Sequence, residues 1–239
     1  QAKQLGNPNQ TIVLQELESS ELLVEKAESV KGLTTGDGPR FIRFFTEFQE
    51  KFNGWEWFQT TPNGAKEFDG QHQVFRWENG NGAMQDIPGS RTFARGAWGT
   101  KGVLLSQMGN LPAARYFGVA YDNNCAVIKP KKIEYLDAFW VYCISPQFNK
   151  EVRKLDQSIK PTNATFERIP FDNDHWVQVA ADKYPNGLPK PYTDDPTQWI
   201  FHGHPCGSVI WDEDAKWTAK GSLRTDDSVL QVAVARLLG

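Results

Sequence analysis

Several residue groups in this 239-residue chain carry side chains capable of chemistry, and each implies a different reaction or ligand. The stretch FHGHPC (201–206) sets His202, His204 and Cys206 at alternate positions, and all three are metal-ligand types. Alternate residues on one extended strand do not close a tetrahedral site without ligands from elsewhere, and only His72 and His175 remain as other histidines. The expectation is therefore no metal site, with a metal-dependent hydrolase using His202 and His204 as one alternative. Asp194 with Asp195, and Asp212 with Asp214, have the spacing of solvated loop acids and lack a nuclease or glycosidase pattern. No Gly-x-Ser-x-Gly elbow supplies a nucleophile. No catalytic residue is assigned to this chain.

Phosphate recognition has better candidates. KGLTTGDGPRFIRFF (31–45) is glycine-rich but lacks the lysine of a phosphate loop, so it is expected to be a turn, with Gly36 and Gly38 taking unusual backbone angles. Arg40 and Arg43 then fall in the first turn of the element that follows, where backbone phosphates could be met. The formal net charge of -3 conceals a basic stretch: residues 86–168 hold 12 Lys+Arg against 7 Asp+Glu. Within it, Arg91, Arg95 and Lys101 share a Gly/Ser-rich segment with Phe93 and Trp98, and Lys129, Lys131 and Lys132 surround Pro130. Loop-borne arginines and lysines suit phosphates and guanine edges, while Gln107, Asn110, Asn123 and Asn124 are types that reach adenine.

The elements that must hold these groups follow from apolar spacing. Residues 12–30 read as one helix, or two broken near Ser19-Ser20, with Gly32 as the stop. Phe41, Phe44, Phe45, Phe48 and Phe52 recur at helical spacing and predict a core helix over 40–52. Short strands joined by turns are expected over 53–90, then at 102–107, 116–121, 125–128 and 138–144. Ser145 and Pro146 begin a helix with the stripe Phe148, Val152, Leu155 and Ile159. A helix from near Asp172 places Trp176, Val179 and Ala180 inward; short strands at 197–201 and 208–211 and a helix capped by Asp226 complete the chain. The fold class is α+β: helices at the start, a β-rich core, then helices with long loops. The corresponding division is a helical connector over 1–53, a β-rich domain over 54–168 with a helix at about 146–159, and a helix- and loop-rich part over 169–239.

Composition sets outer limits. Hydrophobic residues make up 39% and aromatics 13%, enough for a packed core. Cys125, Cys143 and Cys206 are odd in number and widely spaced, which fits a reducing cytoplasm and no disulfide framework. No apolar run approaches the roughly 18 residues that span a bilayer, so no membrane partner is expected. A Gln start and the apolar ending DDSVLQVAVARLLG are expected of a piece cut from a longer polypeptide.

Three blocks carry a family likeness: VKGLTTGDGPRFIRFF, WGTKGVLLSQMGNLPAARYFGVAYDNNCAVIKP, and FERIPFDNDHWVQVAADKYPNGLPKPYTDDPTQWIFHGHP. Together they resemble the C-terminal part of large bacterial N6-adenine DNA methyltransferases, of the phage-exclusion and single-chain restriction-modification kinds. In that family a Gly-Leu/Ile-x-Thr-Gly-Asp segment leads from the catalytic domain into the target recognition domain. The resemblance implies a bacterial cytoplasmic protein that recognises double-stranded DNA beside a methyltransferase domain of the same parent chain. S-adenosylmethionine and the Asn-Pro-Pro-Tyr/Phe motif would belong to that domain, no cofactor being expected in this segment; NPNQ (7–10) is not that motif. The base-reading candidates Arg91, Arg95, Lys101, Lys129, Lys131 and Lys132, and the phosphate candidates Arg40 and Arg43, rest on charge and turn context. The other alternative is an aromatic-rich module for carbohydrate or protein, with the 9 tryptophans as an exposed platform.

Overall fold

The computed structural model describes residues 21–48, 53–65, 67–191 and 209–220, together with Val234. Strands β1 (Ala27–Lys31), β5 (Gly102–Ser106), β6 (Ala113–Tyr116) and β8 (Cys125–Pro130) form one sheet in the order β1-β8-β5-β6. Strands β2 (Ile42–Phe44), β3 (Trp55–Gln59), β4 (Gln73–Arg76) and β7 (Ala120–Tyr121) form a second, in the order β2-β4-β3-β7. The first sheet is antiparallel throughout, and the second has one parallel pairing, of β3 with β7. A hairpin of β9 (Val209–Asp212) and β10 (Trp217–Lys220) stands apart from both sheets in its pairing.

The first sheet is the middle layer of three. Because strand side chains alternate, Val103, Leu105, Ala126 and Ile128 point one way, into a core shared with helices. Leu104, Cys125 and Val127 point the other way, onto Phe58, Phe75 and Trp77 of the second sheet and its flanks. Both faces of β5 are covered, so all five of its residues are buried. That explains an uninterrupted apolar run rather than an alternating one.

The helical layer consists of α2 (Leu136–Cys143), α3 (Pro146–Leu155), α4 (Asn163–Glu167) and α5 (Asn173–Lys183), preceded in the chain by the one-turn α1 (Gly38–Phe41). Ser145 caps α3 by accepting from the Phe148 amide, and Asp172 caps α5 by accepting from His175. Trp176 and Ala180 point inward from α5 as their spacing predicts. Helices and sheets together make the α+β class expected from sequence.

Five element expectations change. The strand expected at 116–121 is broken, with β6 ending at Tyr116 in the first sheet and β7 beginning at Ala120 in the second. Residues 27–31 are strand rather than helix, paired with β8 from Ala27 opposite Pro130 to Lys31 opposite Ala126. The phenylalanine stripe is split: α1 ends at Phe41, and Ile42–Phe44 pairs with β4, so Phe41 enters the inter-sheet core while Phe44 is exposed. The described part of the expected 1–53 helical connector is thus largely strand and turn. Residues 138–144 are not a strand but lie mostly in α2, which is buried on nearly every side and so shows no helical stripe. Helix α3 ends at Leu155, leaving Ile159 beyond it and 77% exposed. The strand expected at 197–201 and the helix expected after Asp226 lie outside the described residues.

Candidate nucleic-acid interface

The TGD turn places the first cations. Gly36 takes φ +78°, but Gly38 does not share that conformation and instead opens α1. The Asp37 carboxylate accepts from the Arg40 amide at 3.2 Å, so this short helix start is already capped by an acid. Arg40 lies over the Phe41 ring at 5.0 Å. Arg43 is committed locally: its Nη1 donates to the carbonyls of Pro39 and Ile42, and its Nε lies 3.6 Å from Glu47. Arg40 is exposed and Arg43 half-buried.

Most of the other candidates fall along one edge of the first sheet. Beyond β1, Thr34 exchanges both backbone hydrogen bonds with Arg91, at 2.8 Å each. From there the chain runs back along β1 to Gly96, whose carbonyl accepts from Lys129 Nζ at 3.1 Å. Lys129 also meets Glu28 of the neighbouring strand at 3.1 Å. Val103 pairs with Ile128, so Lys101, two residues earlier, lies level with Pro130. The Lys131 amide donates to the Lys26 carbonyl at 2.8 Å, and Lys132 follows. Arg91, Arg95, Lys129, Lys131 and Lys132 are therefore brought into one row, with Lys26 added at its end, while Lys101 stands off it on the β5 side of β8. From Thr34 to Glu28 the row covers about 20 Å at the usual strand rise.

The row is not uniformly free charge. Glu28 offsets Lys129, Glu134 lies 3.7 Å from Lys132, and Glu21 lies 2.9 Å from Lys26. Arg91, Arg95, Lys101 and Lys131 are exposed. Arg95 is held in place: its guanidinium carbon lies 4.7 Å from the Trp77 ring centroid, and one of its terminal nitrogens lies against Gly80.

Not every charge in the basic stretch is surface. Arg115 is 8% exposed, lies beside the stacked Phe68 and Phe117 rings at 5.7 and 5.2 Å, and donates to the Pro189 carbonyl. Burial lowers its pKa, opposed by Glu67 and Asp137. Lys154 pairs with Glu151 at 2.9 Å, both side chains nearly covered. These two cations brace the core and are unavailable to a phosphate. Among the residues suited to adenine, Gln107 is 2% exposed and belongs to a cavity wall rather than a free loop. Asn123 donates to the Thr34 hydroxyl at 2.9 Å, and Asn124 is exposed.

The remaining chemical candidates separate from this row. Cys125 and Cys143 are buried free thiols; burial pushes Cys125 up to about 12, partly countered by its hydrogen bond to Thr61, and raises Cys143 further. Both are poor nucleophiles. Among the described residues no cluster of His, Cys, Asp and Glu could hold a metal, while His202, His204 and Cys206 lie outside them. Each described tryptophan side chain is buried or half-buried: Trp140 and Trp176 in the helical core, Trp77 and Trp98 between the sheets, Trp55 and Trp57 against Phe48 and Phe45, and Trp217 on β10. Among the described residues no helix is long and apolar enough to cross a membrane.

Sequence reasoning named the five row residues, and Lys101 beside them, but not the row. Its missed members are Lys26 and the Trp77 platform, which sequence distance conceals and strand register reveals. No protein-family model matches the chain, and no curated protein matches it.

Proposed function

We propose that this chain is the DNA-reading segment of a site-specific N6-adenine DNA methyltransferase of the bacterial cytoplasm, in restriction-modification or phage defence. The observation that carries the reading is the row of cations from Arg91 through Arg95 and Lys129 to Lys131. Between its Arg91 and Lys129 positions its length of about 20 Å matches about six base-pair steps of B-DNA. A duplex laid along β1 would meet a phosphate near each cation in turn. Rigid positioning by backbone pairing and by the Trp77 contact lowers the entropy lost when those contacts form.

In this scheme the row grips the backbone, and exposed polar loops such as Asn124 reach for base edges. Methyl transfer from S-adenosylmethionine belongs to a methyltransferase domain elsewhere in the same parent chain. The covered state of the described tryptophan side chains argues against the aromatic-platform reading, which needs exposed rings.

The test is fluorescence anisotropy of the purified chain with mixed-sequence duplexes, paired with a methyl-transfer assay. Binding is expected to fall steeply between about 50 and 200 mM salt, as counterion release dictates. No methyl group is expected to reach the DNA. Salt-insensitive binding, or no binding at the lower salt, contradicts the reading, and methylation by the chain alone contradicts its division of labour.

A further inference from the structure

At the Arg91 end of the cation row, two turns stand side by side. One joins β5 to β6 over 107–112, and the other joins β7 to β8 over 122–124. The Gln107 amide donates to the Asn124 carbonyl at 2.8 Å, which ties the turns together. Asn123 donates to the Thr34 hydroxyl at 2.9 Å, and Thr34 pairs with Arg91. Arg91, Thr34, Asn124 and Gln107 therefore follow one another across the end of the first sheet, a span of about 14 Å at the usual strand spacing. A major groove is about 12 Å wide, so with Arg91 on a phosphate the two turns come level with the neighbouring base edges.

Both turns present an exposed side chain from a braced backbone. Met108, in the first turn, is 43% exposed. Its amide donates to the Ser106 hydroxyl at 3.1 Å, its carbonyl accepts from the Leu111 amide at 3.1 Å, and Arg153 Nη2 donates to the Gly109 carbonyl at 2.8 Å. Leu111 holds φ +55° with its side chain buried, a conformation that a leucine keeps only where its surroundings impose it. In the second turn the backbone amide of exposed Asn124 donates to the Asp122 carboxylate at 2.7 Å, and Lys160 donates to Asn124 Oδ1 at 2.9 Å. Lys160 thus fixes which way the Asn124 amide group faces and leaves Nδ2 and the second Oδ1 lone pair for a ligand.

The side chains on offer select the ligand. The cations beside the turns are committed to backbone carbonyls: Arg153 also donates to Ser158, and Lys160 to Asn123 at 3.2 Å. Guanine is read by Arg or Lys and cytosine by Asp or Glu, whereas an amide pairs with N6 and N7 of adenine and an apolar side chain meets the thymine methyl. We propose that the two turns read an A·T pair in the major groove, with the Asn124 amide on the adenine and Met108 on the thymine methyl. This rests on the reading of the row as a duplex-binding surface and names the base pair which that surface selects.

The test selects duplexes with a randomised centre on the full chain at about 50 mM salt and measures the affinities of the selected duplexes by fluorescence anisotropy. Selection is expected to enrich A·T at one position, where G·C binds about tenfold more weakly. Uracil in place of that thymine deletes only the methyl and is expected to weaken binding about threefold, an arm that needs no variant. Asn124→Ala is expected to remove the A·T preference, and Met108→Ala the response to uracil, both with the parent's melting curve and the parent's salt slope. Absence of A·T enrichment, an enrichment that survives Asn124→Ala, or indifference of the parent to uracil overturns the proposal and spares the row. A reduced salt slope in either variant overturns it as well, because that side chain then serves a phosphate. If the chain binds no duplex at all, the reading of the row and this proposal fall together.

Discussion

His72 stacks on Phe44 with ring centroids 5.6 Å apart, and its backbone carbonyl accepts from Phe45 at 3.2 Å. Burial holds its pKa below the ordinary 6.5, with Asp69 opposing. The sign of the pH effect follows. The unfolded chain takes up a proton below about pH 6.5 while folded His72 resists it, so this residue's contribution is complete above that value. It is lost as pH falls through the lower, folded value. Urea unfolding at about pH 7.5 and pH 5.5 is expected to show a smaller acid-induced loss for His72→Phe, which keeps the ring, than for the parent. An identical loss in both would show that folding leaves the pKa of His72 unshifted. Arg115 makes a related point about single residues: it adds to the positive count of 86–168, yet it is buried beside two stacked aromatic rings. Charge counted along a sequence does not distinguish such a brace from a surface cation.

At the scale of elements, the closest joint is the one between β1 and the turn after β7. A Cβ added to Gly32 would stand 1.9 Å from the Asp122 carbonyl oxygen, a contact that neither backbone can relieve cheaply. Gly38, at the start of α1, has open space around the same position. Gly32→Ala is expected to cost more than about 2 kcal/mol in urea unfolding and Gly38→Ala less than about 0.5 kcal/mol. Equal costs would mean that the β1 joint is looser than described. Elements were legible from sequence where one face is solvated and a cap marks the start, as at Ser145 and Asp172. They were illegible where burial is complete. Residues 138–144 carry so many apolar side chains that helix and strand periods coincide, and tertiary enclosure alone decides for α2. The phenylalanines at 41, 44, 45 and 48 have helical spacing, yet pairing of Ile42–Phe44 with β4 overrides it. The candidate site was half legible: cation types and turn context marked Arg91, Arg95 and the lysines around Pro130. Their alignment depends on β1 pairing with β8, which the helical reading of residues 27–31 had hidden.

At the scale of the whole molecule, the three layers give a rigid frame whose middle sheet presents the cation row along its edge strand. Both faces of that sheet are spent on cores, so recognition is left to its edge and ends. Neighbouring acids at Glu28 and Glu134 make the row moderate rather than strongly positive, which favours binding that depends on a partner domain on the far side of the duplex. The most direct measurement is the slope of log affinity against log salt for a mixed-sequence duplex. It should compare the parent with Arg95→Glu and Lys131→Glu, on the row, and with Lys150→Glu, exposed on α3. Each row variant is expected to weaken binding and to reduce the slope by about 0.9, one phosphate contact's worth, while Lys150→Glu leaves the slope unchanged. Equal effects from all three variants, or no effect from the row pair, would contradict the claim that this edge grips DNA.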